Sequence, residues 1–319
     1  MRVTVIGGTR FIGRRIVTDL VARGDEVQVV HRGQTEPPDL APARHVHTER
    51  ADFASVATEV SAFAPQAVID TGAMNGSDAD AVLPYLPRVA LVVLSSMDVY
   101  RAFHLVRLDQ EGEAVPFDEG GRLRDARHIN RGLGLREEDE KLEVEPSYLE
   151  RGATVLRLPM VYGEHDGQRR EEFILRRVRA GRQRIPIGAG TWLWTRAYVG
   201  DVSTAVLACL ANPAVAGEVL NIGEPAVRSM RGWAHEILAA AGHEAQLVTV
   251  PESLVPADLW PTKRVDQHLL VDCGKARRLL GWHPDPSAGL ARSVSWHLAH
   301  PPADASDDFT ADDAALAAS

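Results

Sequence analysis

Lysine is scarce in this chain: its 319 residues include only Lys141, Lys263 and Lys275, against 32 arginines. A compact ammonium is therefore used sparingly, and each occurrence raises the question of what a guanidinium could not do there. Cysteine is scarcer still. Cys209 and Cys273 are the only two, and they lack metal-ligand spacing, so the sequence predicts reduced thiols and no disulfide. No apolar run reaches the roughly 20 residues of a membrane span, which predicts no membrane partner. The first apolar strand begins at residue 2, leaving no room for a basic-then-apolar leader, and the expected location is cytoplasmic. A net charge of -9 lacks the basic excess needed for broad nucleic-acid binding, although a local patch stays open. Metal-ligand pairs are thin as well. His45 with His47, and His165 with Asp166, have no matching second cluster, so no metal site is predicted.

What is present is an ordinary globular composition, 45% hydrophobic and 25% charged. Short Val/Ile/Leu runs at 2–6, 27–30, 67–70, 90–94 and 153–158 alternate with helical patterns near 11–23, 54–63, 77–87, 130–150 and 168–181. Continuous apolar runs of this kind are buried parallel strands, and the rhythm predicts an α/β fold with a Rossmann-type doubly wound parallel sheet. The pattern loosens beyond residue 165. Residues 1–165 are expected to form the first domain, with part of 195–222 returning to it. Residues 166–300 form mainly a smaller C-terminal substrate lobe over the strand ends, with a turn at Pro186 to Gly190 and a helix from Ser229 to Ala241. The Asp/Ala/Ser-rich stretch 301–319 reads as a disordered tail.

The strand Arg2 to Ile6 runs through Gly7, Gly8, Thr9 and Arg10 into a helix beginning Phe11-Ile12-Gly13. Backbone N–H groups at such a helix start suit a pyrophosphate, so this unit predicts dinucleotide binding. Gly7 permits the tight turn and Gly13 the close helix packing. Arg10 stands at the middle position of the GxxGxxG spacing, where it either crowds the pyrophosphate or turns outward to hold a phosphate. At the end of strand two, His31 and Arg32 replace the carboxylate that suits NAD, which favours NADP, with NAD the less favoured cofactor. Small residues at Thr71-Gly72-Ala73 let backbone approach the cofactor, with Gly72 a candidate contact.

Four stretches in order resemble the extended short-chain dehydrogenase/reductase family, also called the epimerase/dehydratase family. They are the N-terminal turn, Leu94 to Tyr100, Leu156 to Gly163, and Lys275 to Pro284. The GGTRFIG turn, the arginine after strand two and Asp266-Gln267-His268 are most similar to the atypical branch containing chloroplast stem-loop-binding proteins. The resemblance implies an adenine contact at Asp52-Phe53, where the alternative is a helix-initiating acid. It also implies a Tyr-x-x-x-Lys on one helix, whose lysine holds the nicotinamide ribose and whose tyrosine shuttles a proton. Lys141 is the natural lysine, yet Glu137 stands four residues earlier in place of tyrosine. Glu137 is a substitute acid only if burial raises its pKa, and the whole stretch also reads as a solvated helix with a Glu137–Lys141 pair. Ser96 occupies the place of the family's catalytic Ser or Thr, or caps a strand end. Asp98 is the second candidate for proton transfer.

Two function classes follow. One is an NAD(P)-dependent epimerase/dehydratase-like oxidoreductase acting on a small or nucleotide-linked substrate. Met160 stands where sugar-nucleotide epimerases of the family often place asparagine, which counts against a nucleotide-diphosphate sugar. Arginines between 169 and 184 read mostly as a solvated helix face, with one or two free to grip an anionic substrate. The other class is a catalytically degenerate dinucleotide-binding protein, acting as a sensor or as an RNA- or partner-binding module. By analogy with the family, a homodimer through the 77–87 and 130–150 helices is an expected partner arrangement.

Overall fold

The computed structural model describes residues 1–125, 127, 139–304 and 306–319. In chain order its strands are β1 (Arg2–Ile6), β2 (Glu26–His31), β3 (Arg44–His47), β4 (Ala67–Asp70), β5 (Ala90–Ser96), β6 (Thr154–Leu158), β7 (Met160–Tyr162), β8 (Arg184–Ile187), β9 (Arg196–Tyr198), β10 (Val219–Asn221) and β11 (Gln246–Thr249). The helices are α1 (Phe11–Ala22), α2 (Phe53–Ala62), α3 (Gly76–Asp80), α4 (Arg101–Arg107), α5 (Lys141–Glu150), α6 (Glu172–Arg179), α7 (Val199–Ala211), α8 (Met230–Ala240), α9 (Gly274–Leu280), α10 (Pro286–Ala299) and α11 (Thr310–Ala317).

Seven strands form one sheet in the order β10-β6-β5-β4-β1-β2-β3, with every neighbouring pair parallel. The apolar runs explain why it is covered on both faces. In β1, Val3 and Val5 share a core with Ile16, Val17 and Leu20 of α1. Ile6 of the same strand joins the opposite core, with Val68 of β4, Phe53 and Val60 of α2 and Val144 and Tyr148 of α5. Successive strand residues face opposite ways, so these runs are apolar on both faces, and a polar residue such as Thr4 is buried with a partner, Gln28, at 3.1 Å. The chain leaves β1 in one direction along the sheet and later returns on its other side, where β4 pairs with β1. That reversal opens a crevice at the strand ends.

Several sequence expectations are corrected. Residues 44–47, where no strand was predicted, form edge strand β3; Arg-His-Val-His lacks an apolar run because only Val46 is fully buried. The helix expected over 77–87 is the short α3 followed by a 3-10 turn at Leu83–Tyr85, with Pro84 interrupting the helical ladder. Pro186, read as a turn, lies in β8 beside Val248 of β11. The described part of the 130–150 helix begins only at Lys141. The disordered tail is overturned over its last part. There α11 forms, and Asp312 is buried against Arg177, whose Nε and Nη2 each lie 2.7 Å from a carboxylate oxygen. Arg177 is therefore not on a solvated face.

Candidate functional site

The glycine turn is built as the sequence requires. Gly7 has φ +91°, and a Cβ on it would lie 2.4 Å from Thr71 Oγ1. A Cβ on Gly13 would meet Gly8 Cα at 2.9 Å and Gly7 O at 3.1 Å, so α1 can approach the strand end only with glycine there. Arg10 is extended at the N-cap of α1 and supplies no side-chain cap, which leaves first-turn N–H groups for a ligand. Its side chain is exposed and forms no ion pair among the described residues. Thr9 is buried and its hydroxyl contacts that of Thr35 at 3.2 Å. Phe11 takes φ +31°, a costly conformation for an aromatic residue, at the mouth of the crevice.

Beyond that turn lies a cavity of about 370 Å³ lined by Phe11, Ile12, Thr71, Ser96, Lys141 and Arg170, among others. Lys141 enters it from the first turn of α5. Its Nζ donates to Ala73 O, just past β4, and to Leu94 O of β5 at 3.1 Å. Burial pulls its pKa below the ordinary lysine value, while Asp70 and Asp98 pull it back up. Ser96 closes β5 and accepts the Asp98 N–H at 3.2 Å, so it caps the following turn and also lines the cavity. Its own hydroxyl proton stays available to a ligand. Asp98 is not on the lining. Its enclosed carboxyl is raised in pKa by burial and lowered by Arg124, Lys141 and Arg107. Glu137 lies outside the described residues.

The wall behind the cavity is a buried polar lattice. Glu145 accepts from Ser95 at 2.6 Å and holds Arg157 through two bonds of 3.0 and 2.7 Å. Arg157 covers the Tyr100 ring at 4.7 Å, and the Tyr100 hydroxyl donates to Asn221 at 2.7 Å. Asp70, fully buried at the end of β4, pairs with Arg50 at 2.5 Å and accepts from Tyr148. Neither Asp70 nor Arg50 was singled out from sequence; a carboxylate ending an apolar run was the available signal. None of the five tyrosines in the chain lines this cavity. Tyr162 donates to Pro286 O, Tyr198 to Glu164, and Tyr85 is exposed.

A second cavity of about 550 Å³ lies under the smaller lobe, lined by Met160, Trp194, Trp233, Trp260 and Arg176. Gly167, Gln168 and Arg170 line both cavities, so the two lie side by side. Arg170 forms no ion pair among the described residues, and burial lowers its guanidinium pKa. Its Nε and the Trp194 Nε1 are buried donors without a partner. Among the arginines between 169 and 184, Arg170 lines both cavities and forms no ion pair among the described residues.

At the opposite end of the crevice Arg32 is exposed and unpaired among the described residues. His31 turns into a cluster with His45 and His47, and its pKa falls through burial and those two neighbours. Arg32 is the permanently charged group that follows β2. Asp52 is exposed at the N-cap of α2 but makes no cap bond. The Phe53 ring is wholly buried in the core, so a contact from this residue to a ligand would have to come from its backbone. Gly72 donates its N–H to Asp70 at 2.9 Å, and a Cβ there would meet only Arg50, at 3.5 Å.

The sequence pattern of the NAD dependent epimerase/dehydratase family matches residues 3–86 and 142–223. Those stretches leave out 87–141, which carries Ser96, Asp98, Glu137 and Lys141. A chloroplast stem-loop binding protein of 41 kDa from Arabidopsis thaliana is 26% identical over 339 aligned positions, covering 99% of this chain and 84% of that protein. The fold matches UDP-glucose 4-epimerase of Thermotoga maritima, solved with UDP-glucose, at TM-score 0.69 and 20% identity, covering 93% of this chain and 98% of that one. It also matches dTDP-glucose 4,6-dehydratase of Bacillus anthracis, solved with NAD, at TM-score 0.71 and 17% identity, covering 94% and 97%.

Proposed function

Because this chain belongs to the NAD dependent epimerase/dehydratase family, we propose that it binds a nicotinamide dinucleotide across the β1–β4 crevice, NADP in preference to NAD, and acts as an oxidoreductase of the epimerase/dehydratase type on a small or nucleotide-linked substrate. The observation that carries this is the meeting of the α1 turn, Ser96 and Lys141 on one cavity. The orphan N–H groups of α1 fit a pyrophosphate, and Lys141, fixed by two backbone carbonyls, fits a ribose diol. When bound, the nicotinamide supplies a hydride donor or acceptor. Ser96 donates its hydroxyl proton to a substrate oxygen, and Arg170 holds an anionic group where the two cavities adjoin. Arg32 attracts the 2′-phosphate that distinguishes NADP. Support from NAD-bound relatives extends to the dinucleotide only.

The test is a titration with NADPH and NADH, following nicotinamide fluorescence and thermal stability together. NADPH is expected to bind with a Kd in the micromolar range or tighter and to stabilise the fold by mass action, and Arg32→Ala is expected to erase the preference over NADH. Binding of neither overturns the proposal. One observation favours a second function, a dinucleotide-binding protein without turnover: all five tyrosines lie away from the cavity. Tight NADPH binding with no oxidation by any carbonyl or nucleotide-linked substrate would select it.

A further inference from the structure

We infer that His31, Glu36, His45 and His47 form a binding site for one divalent transition-metal ion at the outer edge of the sheet. The inference is independent of any dinucleotide. His45 and His47 are two residues apart on β3, so they project from the same face. The parallel register sets His31 of β2 opposite His47, which brings a third ring to that face. The loop after β2 turns back at Gly33, φ +74°, and returns Glu36 to the same place.

The four donor atoms lie within 4.8 Å of one another. His31 Nε2 is 2.8 Å from His45 Nδ1 and 3.4 Å from Glu36 Oε1, and His47 Nε2 is 2.5 Å from Glu36 Oε1. Donors at tetrahedral positions about Zn²⁺ stand roughly 3.3 Å apart, so shifts of about 1 Å or less separate the present cluster from a four-coordinate site. Three imidazoles and one carboxylate are a borderline N/O set that suits Zn²⁺, Co²⁺ or Ni²⁺ and disfavours Ca²⁺ and Mg²⁺. With four protein donors no position is left for a substrate, so the site is structural. Ligation through Nε2 moves the His31 proton to Nδ1, which gives up the 3.2 Å contact from Gly33 N–H. What the ion would fix is the loop itself, already tied to α1 by Arg14–Asp39 at 2.6 Å and to the glycine turn by Thr35–Thr9.

The histidine pairs looked isolated in the sequence because β3 was not recognised, and only the β2–β3 register joins them to His31. The experiment is a calorimetric titration of the full, metal-stripped chain with Zn²⁺, with Co²⁺ visible absorption as the geometric probe. One ion per chain, a Kd in the micromolar range or tighter and the intense bands of four-coordinate Co²⁺ are expected. His45→Ala and His47→Ala should each weaken binding at least about tenfold. Glu36→Gln, at a half-exposed position, should do the same while leaving metal-free thermal unfolding unchanged. His283→Gln, at an exposed position elsewhere, should alter nothing. Absence of saturation below about 1 mM, or binding that the His45, His47 and Glu36 variants leave intact, overturns the inference.

Discussion

Glu171 offers a quantitative test of the smaller lobe. It is fully buried at the start of α6, where Oε1 accepts the Ser293 hydroxyl and Oε2 lies 3.8 Å from His297 Nε2. Burial pushes its pKa up to about 7 from an ordinary 4.5. The folded state therefore holds the proton more tightly than the unfolded state. This contribution is fully present below pH 4.5 and is lost as pH rises through 7. A shift from 4.5 to about 7 corresponds to about 3 kcal/mol at 1.36 kcal/mol per unit. His297 opposes it. Burial lowers that imidazole to about 4, so its contribution is present above 6.5 and falls away as pH drops toward 4. Because the two windows overlap, wild-type stability alone mixes them, and the difference from Glu171→Gln isolates the carboxyl. Urea unfolding from pH 4.5 to about 8 should show the variant gaining about 3 kcal/mol on the parent across that range. In thermal scans that corresponds to about 5 °C for a chain of this length. Parallel curves for the two proteins would refute the buried protonated carboxyl.

Lys141→Met keeps side-chain length but removes the ammonium between Ala73 O and Leu94 O. NADPH affinity, read by nicotinamide fluorescence, should fall at least about tenfold; equal affinity would exclude a ribose role. Gly13→Ala places a Cβ 2.9 Å from the Gly8 backbone. It should cost about 1–3 kcal/mol in denaturant unfolding and abolish dinucleotide binding, whereas a loss below about 0.5 kcal/mol would mean that the turn yields freely.

The sheet was legible because its strands are buried on both faces and so read as mostly apolar runs; β1, β4, β5 and β6 follow this apart from buried polar residues such as Thr4, Asp70 and Arg157. β3 escaped because an edge strand needs only one buried residue, here Val46. The tail escaped for a different reason. Asp312 and Ala315 are too few to announce a core, and α11 is anchored by an ion pair with Arg177, 135 positions earlier. The sequence located the glycine turn because a positive φ and a close helix approach both demand glycine. Lys141 was singled out by the family resemblance together with the rarity of lysine, and the structure sets it on the cavity. It could not find Arg50–Asp70 or Glu145–Arg157, since a buried ion pair is two ordinary charged residues until the fold joins them.

What stays decisive is the source of the proton. Tyr100, Tyr148, Tyr162 and Tyr198 each spend their hydroxyl on Asn221, Asp70, Pro286 or Glu164, so recruiting one to Ser96 would break a structural bond. A carboxyl serves as acid near neutral pH only if its pKa is raised. Asp70 fails, because Arg50 holds it low against its burial. Glu140 is locked to Arg124 by bonds of 2.6 and 3.2 Å. Asp98 meets the pKa part of the condition, because burial raises it within the field of Lys141, but its carboxyl is set back from the cavity lining behind Ser96. If turnover exists, Asp98→Asn should lower kcat by about 10²–10⁴ and remove the carboxyl limb of its pH profile, with NADPH affinity little changed. A lower kcat with that limb intact would make Asp98 a counter-charge to Lys141 and leave the acid to another group.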